Sequence, residues 1–359
     1  MPLHLRPFPR YSRLAFGSVV DALPVTRDGI TGLPMGTLPG ESRDCFAQLE
    51  VRRHVNGATC RGICGLLPYA AFLDGSVKPH EATLHERLRR QERLVVADGG
   101  ALGKPVLLTV PSLADWWEKQ DRTYRPSDDF LGFAGDNNHY TLRDYLPVAK
   151  RSATNAAPSD LPLDVPGPLV IADGHHRAET HARLGERGVP GFSHVPVCLI
   201  GADELHIGVF ARVIAATGVE VMFKRLRHHF RVEPIDRPLA PVAVGQWLLR
   251  YQDRCYRLHR RVSPGDVTDV EWLNRIVLPE ACGITDVRAD ERITFAPVGD
   301  PVDGLHAETF PPSALVLIGF PLPTARFFAE VGAGRVLPPK STKFEPRVPS
   351  GLVVWRGSR

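Results

Sequence analysis

Hydrophobic and polar positions along the chain predict an ordered mixture of strands and helices. Continuous apolar runs at 63–69, 105–110, 194–201 and 314–320 are typical of buried strands. Four segments, 142–150, 244–252, 269–278 and 323–330, are interpreted as helices. The segment 207–216 fits a strand or a helix, and the pattern alone does not decide between them.

The most informative stretch is an apolar run, Leu169–Ala172, that stops at Asp173–Gly174 and is followed at once by a helical pattern. This order predicts a strand, a tight turn and a helix. The first turn of a helix has unpaired N–H groups and the positive end of the helix dipole, so it is a natural site for an anion. His175, His176 and Arg177 lie in that turn. The stretch therefore predicts a phosphate-binding turn.

A second polar segment, Lys78–Thr83, contains His80 and Glu81. Pro79 suits a first helical turn and Glu81 complements the helix dipole, so the segment predicts the start of a helix that runs to about Arg93. On composition alone, His80 and Glu81 need be no more than this helix start. The next histidine is at the sixth position of the motif and not at the fifth, which disfavours a zinc metalloprotease.

Two further segments carry cations beside turn residues. Gly103–Lys104 precedes a strand, the reverse of the order in a P-loop, so we interpret it as an ordinary turn, with a ligand contact from Lys104 as the alternative. Near the C-terminus, residues 334–347 concentrate Lys, Ser, Thr and Arg between prolines. Such cations and hydroxyls can hold phosphate oxygens, and a solvated basic tail is the alternative interpretation.

Composition narrows the class of protein. The chain has 359 residues, 43% of them hydrophobic, and a net charge of +4 with scattered basic residues, which suits a globular protein and indicates no nucleic-acid surface. The first ten residues contain Arg and Pro where a signal peptide needs apolar residues, and no apolar run is long enough for a membrane span. We therefore expect a cytoplasmic protein with no membrane partner. The six cysteines are spread out, which predicts reduced structural thiols.

A Pro-rich segment at 234–241 suggests a division of the chain into two regions. We predict a motif-bearing N-terminal region, 1–233, that contains the ligand-binding core. The second region, 242–359, is predicted to return the Lys-Ser-Thr loop to the same site.

Five separated segments together resemble one family. They are Arg6–Phe8, Lys78–Thr83, Ile171–Arg177, Asp269–Ile284, and Leu337–Arg347 with Gly351–Val353. The chain resembles a bacterial and archaeal family known as a domain of unknown function and related to free-serine kinases. The Asp-Gly-His-His-Arg turn is also similar to the phosphate-binding turn of the ParB and sulfiredoxin superfamily.

This resemblance implies an α+β fold with a ParB/sulfiredoxin-like nucleotide-binding core and a C-terminal α+β half. It implies a kinase that transfers a phosphoryl group from ATP or ADP, with Mg²⁺, to the hydroxyl of a small, serine-like amino acid. The partners would be a nucleotide and a small hydroxyl acceptor. The implied cofactor-binding residues are Asp173, Gly174, His175, His176, Arg177, Lys340, Ser341, Thr342 and Lys343.

The implied catalytic group is Glu81, which would orient the substrate proton, with His80 and His176 beside it. Asp173 would hold Mg²⁺ or cap the helix. The chain departs from the family pattern at 19–24 and 208–212, which leaves the acceptor open.

Two other functions compete with the kinase. One is a ParB-like nucleotide-binding regulator without turnover, which would be expected to carry a helix-turn-helix or a basic face. The other is a metal-dependent hydrolase built on the 14 histidines of the chain. Only His175, His176 and His181 are near one another in the turn and helix, and adjacent residues at a helix start do not readily share a metal.

Overall fold

The structure is a computed structural model that describes residues 3–17, 19–20, 38, 40–83, 85–97, 101–135, 137–148, 162–215, 218–263, 265–298, 310–311 and 313–357. Two compact units emerge, Met1–Leu205 with Pro346–Arg359, and His206–Glu345. These bounds differ from the regions 1–233 and 242–359 drawn from the sequence. Residues 206–233 belong to the second unit, and the last fourteen residues return to the first.

The helices of the described residues are α1 (His85–Ala97), α2 (Ala114–Gln120), α3 (His175–Glu186), α4 (Val219–His229), α5 (Asp269–Trp272) and α6 (Thr324–Gly332). Helix α5 continues as a π-helix over Leu273–Cys282. The helices predicted over 269–278 and 323–330 are thus confirmed. The helix predicted to begin near Pro79 starts only at His85.

The strands are β1 (Leu3–Leu5), β2 (Phe8–Arg13), β3 (Val19–Val20), β4 (Gly40–Arg53), β5 (Thr59–Pro68), β6 (Val77–Lys78), β7 (Ala101–Leu102), β8 (Val106–Val110), β9 (Tyr124–Pro126), β10 (Leu131–Gly135), β11 (Asn138–Pro147), β12 (Leu163–Val165), β13 (Leu169–Asp173), β14 (His194–Gly201), β15 (His206–Gly208), β16 (Phe210–Ala215), β17 (Phe230–Ile235), β18 (Gln246–Tyr251), β19 (Arg254–Arg260), β20 (Ile293–Pro297), β21 (Ala314–Gly319), β22 (Lys343–Glu345) and β23 (Trp355–Arg356).

Two predicted helices are strands. The segment 142–150 belongs largely to β11, where Tyr140, Leu142 and Tyr145 are buried and β4 pairs along most of its length. The segment 244–252 contains β18, which lies between β19 and β21 with Trp247–Arg250 all buried. The buried residues of β18 form a continuous run without polar alternation, so sequence spacing alone does not separate this strand from a helix. The undecided segment 207–216 is also extended.

In the first unit the described strands form a mixed sheet in the order β3-β10-β11-β4-β5-β14-β8-β13-β6, with β2 and β9 also joined to it. Apolar side chains of its central strands, including Ile63, Leu108, Ile171 and Val197, pack in one buried cluster. The described part of the chain is therefore mixed α/β, and the ParB/sulfiredoxin-like label stays a prediction. Among the described residues, no helix is both long and apolar enough to cross a membrane.

The second unit has a sheet in the order β17-β19-β18-β21-β16-β20. Successive residues of its strands face opposite sides, so Ile214 and Leu249 pack with α4 and the π-helix, while Val213 and Leu248 pack on the other side. A separate two-stranded pair joins β15 to β22. All six cysteines of the chain are free and buried, as expected of structural thiols.

Candidate functional site

The predicted strand, turn and helix at 169–184 are confirmed as β13, Gly174 and α3. Loops that flank two neighbouring strands of the sheet lie beside this turn. Strand β6 runs parallel to β13, so the chain leaves β6 toward the edge where β13 ends. Strand β8 runs antiparallel to β13, with Leu107 opposite Asp173, so β8 begins at that edge. The loops before β8 and after β6 and β13 therefore meet at one edge of the sheet.

Gly174 is the N-cap residue of α3, and it adopts φ 101°. The alternative in which Asp173 caps the helix is therefore wrong. A Cβ at Gly174 would lie 2.5 Å from the Arg177 Nη2 atom and 2.9 Å from its Cζ atom. Glycine is needed here both for the left-handed backbone and for the close approach of the guanidinium.

Replacement of Gly174 by alanine is expected to weaken both the fold and the site. The strained backbone should cost about 1–2 kcal/mol of unfolding free energy, and the added methyl group should displace Arg177. Gly188→Ala is the control, because Gly188 has φ 68° and nothing within 4 Å of its Cβ position. Chemical denaturation should show a loss of stability in both variants, whereas titration with inorganic phosphate should show weaker binding only in Gly174→Ala. Equal phosphate affinities in the two variants would contradict the predicted displacement of Arg177.

Asp173 lies among three cations. Its Oδ2 atom is 3.3 Å from Lys104 Nζ and 3.1 Å from Arg177 Nη2. Arg347 is near enough to act electrostatically on both Asp173 and Lys104. The Nε atoms of Arg177 and Arg347 are buried without a hydrogen-bond partner in the described part of the chain. One carboxylate and three cations leave two positive charges uncompensated, which suits a phosphate-type anion.

Ionisation of these groups follows from their surroundings. Burial alone would raise the pKa of Asp173, but Lys104, Arg177 and Arg347 outweigh it and hold that pKa well below its usual range. Burial lowers the pKa of Lys104, and the charge of Asp173 opposes this effect. The carboxylate is thus a permanent anion that holds the cations in place.

The C-terminal segment brings Arg347 to this edge. Strand β23 pairs with β7, and the Gly351 N–H donates to the Gly103 carbonyl at 2.5 Å. The chain that carries Arg347 is therefore fixed beside the loop that carries Lys104.

The loop between β6 and α1 is attached to helix α3 at two points. The His80 N–H donates to His175 Nε2 at 3.3 Å, and the Thr83 hydroxyl donates to a Glu179 carboxylate oxygen. The rings of His80 and His175 meet edge to face with centroids 4.4 Å apart. Glu81 lies between these two attachments and is half-buried. Its place in a loop beside the start of α3 differs from the predicted helix start.

Both imidazoles are neutral near pH 7. Burial lowers the pKa of His80 to about 4, and His80 Nδ1 lies 2.6 Å from the Ile171 carbonyl oxygen, which fixes this nitrogen as the protonated one. Burial, reinforced by His80, lowers the pKa of His175 well below its usual value. These two residues are thus hydrogen-bonding groups at the edge of the cation cluster and add no charge to it.

In the described part of the chain, His175, His176 and His181 are not arranged around one metal position. His181 is fully buried, with its ring 5.1 Å from that of Phe192, whereas His175 faces His80. His176 is the second residue of α3 and is half-buried. The described residues contain no group of three His, Cys, Asp or Glu side chains arranged around a metal position. Asp173 is also unsuited to Mg²⁺, because three cations already surround it.

The buried histidines predict a loss of stability on mild acidification. His80 and His181 each have a folded pKa of about 4, below the usual 6.5, because burial disfavours the charged form. The unfolded chain binds protons first, so stability falls as pH drops from 6.5 toward 4. Each residue should contribute about 2 kcal/mol to the loss between pH 7 and pH 5.

Urea unfolding at the two pH values measures this effect. His181→Phe should reduce the pH dependence, while His228→Gln, at an exposed position of α4, should leave it unchanged. An unchanged pH dependence in His181→Phe would show that this residue is not responsible.

The four predicted ligand residues of the C-terminal loop lie in the second unit. Lys340 has φ 59°, and its Nζ atom lies 4.8 Å from the centroid of the Phe210 ring. The Ser341 hydroxyl donates to the Pro338 carbonyl at 2.6 Å. Lys343 is neutralised by Glu345 at 2.5 Å, and Thr342 is buried. Their role at a nucleotide stays a prediction.

Sequence pattern does not single out two cations of the cluster. A ligand contact from Lys104 is only the alternative to an ordinary turn, and Arg347 is one of several cations in the segment 334–347. The missing information was strand direction: an antiparallel β8 presents its first residues where β13 ends. The hydrogen bond from Thr83 to Glu179 likewise has no local signal in the sequence.

The family described as "Protein of unknown function (DUF1015)" matches residues 33–277. No match was found among curated proteins.

Three solved structures are similar to the chain at low identity. SbnI from Staphylococcus aureus, with a C-terminal truncation, has 13% identity and a TM-score of 0.43, covering 80% of this chain and 85% of its own. A free serine kinase variant in complex with ADP has 14% identity and a TM-score of 0.43, covering 82% and 92%. A conserved hypothetical protein from Pyrococcus furiosus has 14% identity and a TM-score of 0.41, covering 82% and 95%. At these scores the similarities do not assign an activity.

Proposed function

The chain belongs to this family of proteins of unknown function, and for this member we propose a kinase that transfers a phosphoryl group from ATP or ADP to the hydroxyl of a small, serine-like amino acid. The observation that carries the proposal is the cluster of Lys104, Arg177 and Arg347 around the single carboxylate of Asp173 at the N-terminus of α3. The proposal also rests on the motif resemblance of the turn to that of the serine-kinase relatives.

Phosphoryl transfer needs little covalent chemistry from the protein. It requires cations for the nonbridging oxygens and a group that orients the attacking hydroxyl. The two uncompensated charges of the cluster match the charge of a terminal phosphate, and the first N–H groups of α3 add hydrogen-bond donors. His175, as a neutral imidazole, and the half-buried His176 would donate hydrogen bonds to the same phosphate.

Glu81 is proposed to orient the acceptor. Its loop is attached to α3 through His80 and Thr83, and this attachment near the start of α3 supports the proposed role of the carboxylate. In the reaction, the serine oxygen forms a bond to phosphorus while the bond from phosphorus to the nucleotide oxygen breaks. The hydroxyl proton passes to the Glu81 carboxylate. His80 fixes the loop by its hydrogen bond to the Ile171 carbonyl.

No step is assigned to a metal. The cations around Asp173 repel a divalent metal ion, so Asp173 does not suit its predicted role as a Mg²⁺ ligand. The phosphate oxygens of a nucleotide bind Mg²⁺ themselves, so a test for kinase activity has to include the ion.

A reaction with matched acceptors tests the proposal. The protein is incubated with Mg²⁺, either ATP or ADP, and L-serine, L-threonine or L-alanine, and products are followed by mass spectrometry. The expected result is a phosphorylated hydroxyl amino acid and none from alanine, which lacks the hydroxyl. Nucleotide binding without product from any hydroxyl acceptor would reject the kinase and favour a ParB-like regulator.

A further inference from the structure

Three residues of α3 form a row along the face that meets the loop between β6 and α1. His175, Glu179 and Arg183 follow one another at intervals of four residues, and residues at this spacing share one face of a helix. His175 accepts a hydrogen bond from the His80 N–H, and Glu179 accepts one from the Thr83 hydroxyl. The loop therefore runs along the first turns of α3 and is attached to this helix at two points.

The two attachments hold both ends of a short segment. Four residues of an α-helix span about 6 Å along its axis, which is the separation of His175 and Glu179 in that direction. The chain from His80 to Thr83 can extend over at most about 11 Å, so the segment has little slack. Glu81 lies inside it. Loss of the Thr83 bond would remove the attachment on the C-terminal side of Glu81.

The Glu179 carboxylate uses its two oxygens for two different partners. Oε2 accepts the hydrogen bond from the Thr83 hydroxyl, and Oε1 accepts one from Arg183 Nη2. The Glu179 side chain is 29% exposed, so water only partly competes for these bonds. A hydrogen bond to an ionised carboxylate is stronger than one between neutral groups. Arg183 thereby holds the carboxylate in the orientation that presents its other oxygen to Thr83.

The packing of α1 on α3 does not depend on the Thr83 bond. Val95 of α1 packs with Leu184 of α3 in a buried cluster. At the surface, Arg187 Nη2 donates to the Glu92 carboxylate at 2.6 Å. Loss of the Thr83 bond would therefore loosen the loop before α1 and leave the two helices in contact. An effect on the loop can thus be measured apart from the stability of the fold.

We propose that Glu179 is a positioning residue that sets the place of Glu81 by holding Thr83, and that Arg183 orients the Glu179 carboxylate for this purpose. The inference rests on the proposed kinase function, because it assigns Glu179 an effect on turnover. Misplacement of a reacting group by about 1 Å can reduce a rate by about 100-fold. Glu179 does not touch the substrate, so its loss lowers kcat and leaves nucleotide binding unchanged.

Matched variants of the two partners test this role in steady-state kinetics. Thr83→Val removes the hydroxyl at almost the same shape and is expected to lower kcat about 10- to 100-fold at an unchanged nucleotide Kd. Thr83→Ser keeps the hydroxyl and should retain most of the turnover. Glu179→Ala should act like Thr83→Val, and the double variant should be no slower than Glu179→Ala, because both changes remove one contact.

Glu92→Gln is the control, since it alters the other polar contact between α1 and α3, and full activity is expected of it. Additive losses in the double variant would overturn the proposal. The same conclusion follows if Thr83→Ser is as slow as Thr83→Val.

Hydrogen exchange separates this proposal from the kinase assignment. In Thr83→Val, the amides of residues 80–83 are expected to exchange at least about tenfold faster, while those of α1 and α3 keep their rates. This readout needs no turnover. Absence of phosphorylated product from the original protein would reject the kinase, whereas unchanged exchange at 80–83 in Thr83→Val would reject the positioning role of Glu179.

Discussion

Glu81→Gln is expected to bind nucleotide as the original protein does and to lose turnover by about 10²- to 10⁴-fold. The amide keeps the size of the side chain but cannot accept the proton of the acceptor hydroxyl. The loop should keep its place, because His80 and Thr83 attach it to α3 independently of this carboxylate. Steady-state kinetics should therefore show a fall in kcat, and titration should show an unchanged nucleotide Kd.

Glu86→Gln is the matched control. Glu86 is exposed in the first turn of α1, so its replacement removes the same charge a short distance along the chain without touching the site. Full activity is expected of this variant. Turnover in Glu81→Gln equal to that of Glu86→Gln would remove Glu81 from the mechanism.

Arg177→Ala is expected to weaken nucleotide binding about 100-fold, which is the loss of one strong charge-assisted contact. The guanidinium lies over Gly174 and pairs with Asp173 at 3.1 Å. Its removal takes one cation away from the carboxylate and from the proposed phosphate position. The measurement is a nucleotide titration at constant ionic strength, because exposed electrostatic contributions vary with salt.

Arg187→Ala serves as the comparison, since Arg187 follows the same helix and pairs at the surface with Glu92. Its nucleotide affinity should match that of the original protein. A similar affinity in Arg177→Ala would show that the phosphate is bound elsewhere.

The local sequence pattern was sufficient to predict the strand, turn and helix around Asp173–Gly174. An apolar run, Asp173–Gly174 and a helical pattern allow one interpretation, and β13, Gly174 and α3 agree with it. Pattern was insufficient where the chain is buried on both faces: β18 has no polar alternation to distinguish it from a helix. At β11, Tyr140 and Leu142 do alternate with half-buried residues, and a helical interpretation of its second half missed this.

The site itself depends on strand direction, which a single sequence does not encode locally. Lys104 reaches Asp173 because β8 runs antiparallel to β13, and Arg347 reaches it because the last residues of the chain pair with β7. Glu81 was proposed from the resemblance, yet its attachment through Thr83 to Glu179 becomes visible only in the folded chain. The resemblance supplied candidate residues, and the sheet supplied the reason why several of them lie together.

The most direct test of the phosphate site is a comparison of adenosine, AMP, ADP and ATP by isothermal titration with the original protein and with Lys104→Met. The original protein should bind the nucleotides more tightly as phosphates are added, by at least about tenfold between adenosine and ADP, and Lys104→Met should reduce that gain. Adenosine binding as tight as ADP binding, with no effect of Lys104→Met, would contradict the assignment of the cluster around Asp173 to phosphate.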